Sequence, residues 1–220
     1  LHFTIHSFPT RRSSDLIVIT DAGAAAPRAV EDVVAEALEA GAPAIQLRNK
    51  DVTAAELYQE TIQLLDITRT FGARLFVNDR LDVALAAGAD GVHLGPHDLP
   101  VAAARVAARA AGHDDLLIGA STDDPDAARH LAADGADYIG CGAVFGTTSK
   151  PGLQDEMIGP ARLRAVVEAV DVPVVGIGGV HPGNAPAVAA AGAAGAAVIA
   201  AVMGAEDVGE AVKALLHAFE

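Results

Sequence analysis

Aromatic side chains and cysteine are scarce in this chain, and tryptophan is absent. Aromatic residues make up 4% of the 220 positions whereas 51% are hydrophobic, so the core has to be built mainly from alanine, valine, leucine and isoleucine. The single cysteine, Cys141, excludes an internal disulfide and is typical of a reducing compartment. We therefore expect a cytoplasmic protein in which Cys141 is a small buried hydrophobe.

Basic residues are also in short supply. The chain has 15 Lys and Arg against 29 Asp and Glu, a net charge of −14, and no basic block. This balance argues against nucleic acid and anionic membranes as partners. An uncharged stretch, residues 184–205, contains Pro186 and internal glycines and predicts helix, turn and strand rather than a membrane span. Small molecules are the expected partners, with a homo-oligomer left open, and an anionic substrate would need a local cationic pocket.

The first residues lack the alanine-rich character of everything after them. The stretch His6–Leu16, HSFPTRRSSDL, matches the translation of one reading frame of a commonly used sequencing adapter. We expect residues 1–15 to be a non-native tail outside the fold. Residues 16–220 are then expected to form one catalytic domain, because this length fits a single core.

From Leu16 onward, short apolar runs alternate with helical patterns. Buried strands of a parallel sheet have this character, and eight are predicted: Leu16–Thr20, Ala44–Arg48, Arg74–Asn78, Gly91–Leu94, Leu116–Ala120, Tyr138–Cys141, Val174–Ile177 and Ala196–Ala200. Helix boundaries are marked by a capping box at Thr53–Glu56, by prolines suited to a first helical turn at positions 27 and 125, and by helix-ending glycines at 41, 88, 135 and 192. The pattern predicts an α/β protein with a single (β/α)8 TIM barrel, with a doubly wound open sheet as the alternative.

The stretch Phe76–Pro100 predicts a strand, a helix and a second parallel strand. Asp79 and Asp98 follow the two strands, so both are expected at the carboxyl edge of the sheet, where α/β proteins bind ligands. Two neighbouring carboxylates require a proton or a cation between them, and oxygen ligands beside phosphate suit Mg²⁺. The alternative is that each aspartate only caps the next helix.

Polar side chains follow other strands as well. Gln46 and Arg48 share one face of the second strand with Lys50 just beyond, and two cations with an amide at the mouth of a barrel suit a di- or triphosphate. Ser121 ends the fifth strand, either as a site hydroxyl or as a helix cap. Further candidates are Asn78, Lys150 in the glycine-rich loop 142–152, Gly179, and the end of the last strand at Ile199 and Ala200, whereas His93 and His97 are given a minor role.

With these residues placed, the chain resembles the thiamine-phosphate synthase family. The matching pieces are IQLRNKD, FVNDR, GADGVHLGPHDLP, IGAS, GADYIGCGAVFGTTSKPG and PVVGIGG, in order, and together they cover nearly everything from Leu16 onward. The resemblance implies a transferase of thiamine biosynthesis. It would join 4-amino-2-methyl-5-hydroxymethylpyrimidine diphosphate to 4-methyl-5-(2-phosphoethyl)thiazole, giving thiamine phosphate and pyrophosphate.

The resemblance also implies roles for individual residues. By the family pattern, the pyrimidine diphosphate is held by Gln46, Arg48, Lys50 and Asn78, and the cofactor Mg²⁺ by Asp79 and Asp98. Ser121 and Lys150, with Arg48, would act on the leaving pyrophosphate. The thiazole phosphate would be held by Thr147, Ser149 and Gly179, with the backbone at Ile199 and Ala200.

Four positions depart from the family pattern. Pro96 stands where Gln is usual, Gly146 where Pro is common, Ser149 where Thr is usual, and Ala200 where Ser is frequent. Two rival functions share the fold: a thiazole tautomerase, which needs neither diphosphate nor metal, and a non-catalytic phosphate-binding barrel. Against the tautomerase stands the presence of all five residues expected to bind the diphosphate and the metal: Arg48, Lys50, Asp79, Asp98 and Lys150.

Overall fold

Eight parallel strands close into a barrel in chain order. The computed structural model describes residues 16–146 and 157–220, so the predicted tail lies outside the described residues. The strands are β1 (Leu16–Ile19), β2 (Ala44–Leu47), β3 (Arg74–Asn78), β4 (Gly91–Leu94), β5 (Leu117–Ser121), β6 (Tyr138–Cys141), β7 (Val174–Ile177) and β8 (Gly195–Val198). All neighbours pair in parallel, and β8 pairs with β1 to close the sheet. The closure confirms the (β/α)8 barrel and excludes the open sheet.

Helices follow the strands and cover the outside of the barrel. They are α1 (Ala22–Ala25), α2 (Val30–Glu39), α3 (Ala54–Thr70), α4 (Leu81–Ala87), α5 (Val101–Ala110), α6 (Pro125–Ala133), α7 (Gly159–Val167), α8 (Ala185–Ala190), α9 (Ala200–Met203) and α10 (Val208–His217). Among the described residues, none of these helices is both long and apolar enough to cross a bilayer.

Two hydrophobic layers hold the barrel together. The larger layer lies between strands and helices, and Cys141 is fully buried in it. The smaller layer fills the barrel interior and includes Phe76 and Tyr138, whose rings meet edge to face with centroids 5.6 Å apart.

Local sequence features account for most helix boundaries. Thr53 and Glu56 form the predicted capping box at the start of α3, and Pro125 occupies the first turn of α6 behind the cap Asp124. The four predicted helix-ending glycines all have positive φ, from 69° at Gly88 to 101° at Gly41 and Gly135, a region that glycine adopts without a Cβ penalty.

Two boundary predictions are wrong by more than one residue. Pro27 lies in the turn before α2, which begins only at Val30 behind Ala29, because the short helix α1 takes up the preceding residues. The last strand was predicted to reach Ala200 but ends at Val198, and α9 begins at Ala200. An alanine-rich apolar run carries no periodicity that separates a strand from the helix after it, so the sequence does not locate this break.

Two aspartates tie strands together at their amino-terminal ends. Asp137, just before β6, accepts a hydrogen bond from the Ile118 N–H at 2.7 Å and pairs with Arg105, whose side chain is only 12% exposed, at 2.6 Å. Asp90, just before β4, accepts from the Leu75 N–H in the same way. This end of a TIM barrel serves stability rather than chemistry.

Asp137→Ala should therefore destabilise the fold. The change leaves the Arg105 guanidinium and the Ile118 N–H without their carboxylate, so we expect a loss of about 2–3 kcal/mol in the free energy of unfolding. Denaturant unfolding measures it. Asp115→Ala, at an exposed aspartate in the turn before β5, is the control and should change little. Equal effects of the two substitutions would show that the Asp137 contacts do not stabilise the barrel.

Candidate active site

One large pocket opens at the carboxyl ends of the strands. Its volume is about 1060 Å³, and residues from every strand end except that of β1 line it. Of the residues predicted from the sequence, those that line this pocket are Arg48, Lys50, Asn78, Asp79, Asp98, Ser121, Gly179, Ile199 and Ala200. The structure therefore brings together side chains that are far apart in sequence.

Arg48 projects from the end of β2 with spare hydrogen-bonding capacity. Its side chain is 18% exposed, its nearest carboxylate is that of Asp21 at 3.9 Å, and its buried Nε has no hydrogen-bond partner. The Arg48 backbone N–H is fixed separately by the Thr20 hydroxyl at 2.9 Å. A buried guanidinium N–H without a partner is costly. The Arg48 side chain also lines the pocket, where a guanidinium can bind an anion.

Gln46 lies deeper than predicted. It is 3% exposed and does not line the main pocket, but borders a small cavity of about 30 Å³ directly beneath the pocket floor. Arg48, Asn78 and Ser121 border both spaces. The Gln46 side chain thus lies below the pocket floor, where it hydrogen-bonds Tyr138, rather than in the open mouth.

Asp79 and Asp98 meet at the rim, as the βαβ geometry predicts. Neither caps a helix: α4 begins behind Arg80 and α5 behind Pro100, both without a side-chain cap. Instead, Asp98 accepts a hydrogen bond from the Gly95 N–H at 2.7 Å, and Asp79 has a left-handed backbone with φ 64°. A non-glycine residue in this conformation is strained, and such strain is concentrated at functional sites.

The two carboxylates hold charge unequally. Burial favours a higher pKa for Asp79, but the Lys50 ammonium, 2.8 Å away, and a hydrogen bond from Asp98 outweigh it, so the pKa of Asp79 is lowered. Burial and the neighbouring Asp79 raise the pKa of Asp98. A proton held between the carboxylates is therefore carried by Asp98.

This donor set fits Mg²⁺. Both aspartates offer hard oxygen ligands, and their mutual repulsion favours a cation between them. Within residues 16–146 and 157–220, no cluster of three or more acidic, histidine or cysteine side chains is arranged to bind a metal. Two carboxylates are sufficient for Mg²⁺, which usually retains waters and binds substrate phosphates.

Ser121 ends β5 without capping a helix, since Asp124 caps α6. Its Oγ lies 2.7 Å from His93 Nε2, and the other ring nitrogen, Nδ1, lies 2.9 Å from the hydroxyl of Tyr138. His93 was given only a minor role from the sequence, and Tyr138 none. Nothing in the motifs reveals this contact, because it depends on strand register across the barrel.

The end of β7 supplies a glycine cradle. Gly178 and Gly179 have φ values of 94° and 64°, and a Cβ on Gly179 would lie 2.2 Å from the Gly146 carbonyl. The Phe145 N–H bonds the Gly178 carbonyl at 3.0 Å, so the loop after β6 packs directly on these glycines. Backbone N–H groups at such a close approach suit a phosphate.

Three predicted site residues, Thr147, Ser149 and Lys150, lie outside the described residues. The residues after this segment are nevertheless fixed at the pocket mouth by two backbone hydrogen bonds. The Ile158 N–H donates to the Ala143 carbonyl, and the Gly159 N–H donates to the Val144 carbonyl. Gly146 and Met157, the described residues on either side of this segment, both line the pocket.

Apolar walls were missed by the sequence analysis. Phe145, Met157, Ile177 and Val180 line the pocket, and Met157 is 65% exposed. In the sequence, these residues cannot be distinguished from core positions, because only the closure of the barrel turns them toward the opening.

The chain is similar to known proteins along nearly its whole length. A family model described as thiamine monophosphate synthase matches residues 16–202. The thiamine-phosphate synthase of Haloarcula marismortui is 46% identical over 208 residues, covering 94% of this chain and 97% of the relative. That of Moorella thermoacetica is 46% identical over 201 residues, covering 91% and 93%. The solved structure of thiamine phosphate pyrophosphorylase from Pyrococcus furiosus superposes with a TM-score of 0.84 at 44% identity, covering 95% of this chain and 96% of that one.

Proposed function

The chain belongs to the thiamine monophosphate synthase family, and we propose from this membership and the site that it joins the pyrimidine diphosphate to the thiazole phosphate. The products are thiamine phosphate and pyrophosphate. One observation carries the proposal beyond the family name: the Arg48 guanidinium with its unsatisfied Nε and the Asp79–Asp98 pair face the same pocket. A diphosphate with a bound divalent cation would satisfy both.

The chemistry requires leaving-group stabilisation rather than a general base. The thiazole nitrogen is already a nucleophile, so it forms the new bond to the pyrimidine methylene carbon. The C–O bond to the diphosphate breaks, and its electron pair leaves on the pyrophosphate oxygen. Each cation about 4 Å from that growing charge contributes roughly 4 kcal/mol at an effective dielectric near 20, before desolvation.

Arg48, Lys50 and Lys150 would supply these cations and Ser121 a hydroxyl donor. Arg48 can bind phosphate oxygens with two N–H groups at once, which also fixes the orientation of the diphosphate. Several converging cations outweigh the repulsion of an anionic substrate by the chain's net charge of −14. The Asn78 amide and Gln46 would hold the pyrimidine from the pocket floor.

Mg²⁺ would be held by Asp79 and Asp98 and would neutralise charge on the diphosphate oxygens. The Lys50 ammonium lies 2.8 Å from the Asp79 carboxylate. A cationic side chain and a proposed metal ligand are therefore neighbours at the rim of the pocket. Lys50 would then orient the diphosphate next to the ion.

The thiazole half would lie across the barrel. Gly179 and the backbone at Ile199 and Ala200, where α9 begins, would bind its phosphate. Thr147 and Ser149 would add hydroxyl donors. Since Ala200 has no hydroxyl, more of the hydrogen bonds to this phosphate would come from backbone N–H groups.

Asp98→Asn should separate the metal role from a structural one. Asparagine keeps an acceptor for the Gly95 N–H, so the fold persists, but one hard anionic ligand is lost. We expect a higher Mg²⁺ requirement and slower pyrophosphate release. Titrating Mg²⁺ in a pyrophosphate-release assay measures both, with Asp134→Asn at the exposed end of α6 as control.

The same substitution should change the pH dependence of stability. Because the pKa of Asp98 is raised on folding, the folded state binds its proton more tightly than the unfolded state does. The metal-free protein therefore loses stability as the pH rises from the unfolded-state pKa of Asp98 through its higher folded-state pKa. Asp98→Asn removes this loss. At a pH above the folded-state pKa of Asp98, the metal-free variant should therefore have a Tm equal to or higher than that of the wild type, and Mg²⁺ should stabilise it less. If the variant has the Mg²⁺ dependence and the rate of the wild type, Asp98 does not bind the metal.

A thiazole tautomerase is the rival enzymatic function. It would handle the thiazole phosphate but use neither a diphosphate nor Mg²⁺. Two assays distinguish the functions: formation of thiamine phosphate from both substrates with Mg²⁺, and isomerisation of the thiazole phosphate tautomer alone. We expect product only in the first assay. Activity only in the second would replace the synthase by a tautomerase, and binding of phosphates without either activity would indicate a non-catalytic barrel.

The proposal also includes the cellular setting. A cytoplasmic location is supported by the single, fully buried cysteine. The partners are the two small-molecule substrates, and the acidic surface argues against nucleic acid and anionic membranes.

A further inference from the structure

A continuous line of four hydrogen-bonded polar side chains crosses the barrel at the floor of the pocket. The Ser121 Oγ lies 2.7 Å from His93 Nε2, and His93 Nδ1 lies 2.9 Å from the Tyr138 hydroxyl. Tyr138 in turn hydrogen-bonds the side chain of Gln46. The line runs from Gln46 on β2 to Ser121 on β5, and both of its ends carry substrate-binding roles in the proposed function.

Two glycines provide the space for this line. Gly119 lies between His93 and Tyr138 in the strand register, and a Cβ there would lie 2.1 Å from the Tyr138 ring. A Cβ on Gly140 would lie 3.0 Å from the His93 ring. The absence of a Cβ at these two positions therefore leaves room for the His93 and Tyr138 rings, whose centroids are 5.4 Å apart.

The line has a direction. Tyr138 is 1% exposed, and burial raises the pKa of its phenol, so it stays protonated and has one hydrogen to donate. The Gln46 side chain acts against that shift, as a donor to the phenol oxygen would. The phenol hydrogen is then available to His93 Nδ1. A neutral imidazole that accepts at Nδ1 carries its hydrogen on Nε2.

We propose that His93 and Tyr138 are positioning residues that turn the Ser121 hydroxyl hydrogen toward the pocket. Gln46 donates to Tyr138, Tyr138 donates to His93 Nδ1, and His93 Nε2–H donates to the Ser121 oxygen. Because the Ser121 oxygen already accepts this bond, its own hydrogen points at the ligand. Reversing the line would present a lone pair to an anion, which is repulsive.

This inference rests on the proposed function for its catalytic consequence. A hydroxyl fixed as a donor before the reaction meets the leaving pyrophosphate without reorganisation, which favours the transition state more than substrate binding. His93 and Tyr138 contribute only through Ser121, so their removal should lower kcat and leave the KM for thiazole phosphate unchanged.

The first test measures the His93 tautomer in the substrate-free protein. Heteronuclear NMR of the imidazole nitrogens, with the His93 signals assigned by their loss in His93→Gln, should show hydrogen on Nε2 and none on Nδ1. In Tyr138→Phe the Nδ1 acceptor loses its donor, and a mixture of tautomers should appear. Hydrogen on Nδ1 in the wild type would overturn the proposal. This result does not depend on the reaction that the enzyme catalyses.

The second test is a double-mutant cycle. Tyr138→Phe removes one oxygen and keeps the ring, and we expect kcat to fall roughly ten- to a hundredfold. In a Ser121→Ala background the same change should have almost no further effect, because the group that it positions is gone. Full additivity of the two losses would overturn the proposal.

Two comparisons separate positioning from a structural role. The only other tyrosine, Tyr58 on α3, is the matched control, and Tyr58→Phe should leave kcat unchanged. His93→Gln keeps an N–H donor near Ser121, so it should retain more activity than His93→Leu at equal Tm. Equal activities for these two variants would contradict the positioning role, whereas an inactive wild type with the expected tautomer would contradict the proposed function alone.

Discussion

Arg48→Ala should lower kcat/KM for the pyrimidine diphosphate by roughly two to three powers of ten. The guanidinium lies at the pocket with its Nε unsatisfied, and its only carboxylate neighbour in the described part of the chain is 3.9 Å away. The guanidinium can therefore form further hydrogen bonds to an anion in the pocket. Steady-state kinetics with the diphosphate varied and thiazole phosphate saturating measure the loss.

The same substitution should not destabilise the fold. It removes a buried unsatisfied donor, while the backbone N–H of residue 48 keeps its bond to Thr20. We therefore expect an unchanged or higher free energy of unfolding. Arg48→Lys should fall between wild type and alanine in kcat/KM, because it keeps the charge and loses the planar fork.

Arg109→Ala is the control for Arg48, since its side chain is 66% exposed on α5. A wild-type kcat/KM for Arg48→Ala, or an equal loss for Arg109→Ala, would show that the Arg48 site does not bind the diphosphate. Unfolding of Arg48→Ala at low denaturant would show that the guanidinium is instead a structural element.

Lys150→Ala should lower kcat by roughly two to three powers of ten, if about 3–4 kcal/mol of transition-state stabilisation is lost. Lys150 belongs to a glycine-flanked loop whose ends are held at the pocket mouth. A lysine that meets the leaving pyrophosphate interacts with a charge that grows during bond breaking. Rapid-quench and steady-state measurements of pyrophosphate release report this loss.

Ser149→Ala should have the opposite signature. Its hydroxyl is proposed to meet the thiazole phosphate, whose charge is constant through the reaction, so KM for that substrate rises and kcat changes little. Equal weakening of the same substrate by both substitutions, with kcat intact, would contradict this division of the loop.

The barrel could be predicted from the sequence because several independent patterns agreed. Eight short apolar runs, the capping box at Thr53 and the glycines before the strands each indicated a strand–helix repeat. The boundary between β8 and α9 was predicted wrongly because the residues around Ala200 are nearly all small and apolar. Neither periodicity nor a side-chain cap marks the end of the strand there. Pro27 was misplaced because a proline suits a turn as well as a first helical turn.

The rim of the site was predictable for a topological reason. Parallel strands place the residues that follow them at one edge, so Asp79 and Asp98 had to meet once β3 and β4 were recognised. The cap interpretation of these residues is not observed. Their assignment as Mg²⁺ ligands stays a prediction that the Asp98→Asn experiment addresses.

The interior of the site could not be predicted in the same way. Tyr138 looks like an ordinary core residue in GADYIG, and its contact with His93 arises only because Gly119 lies between them in the register. Gln46 was expected at the mouth but lies below the floor, since the position of a side chain along the barrel axis depends on strand tilt and stagger. Sequence alternation gives the face of a strand and not this depth.

The most direct measurement quantifies thiamine phosphate and pyrophosphate in the same quenched samples. The wild-type protein is incubated with Mg²⁺ and both substrates, and parallel samples omit one substrate or chelate the metal. We predict equal amounts of the two products in the complete mixture and neither at a comparable rate in the other samples. Pyrophosphate without thiamine phosphate, or no product in the complete mixture, would contradict the proposed function.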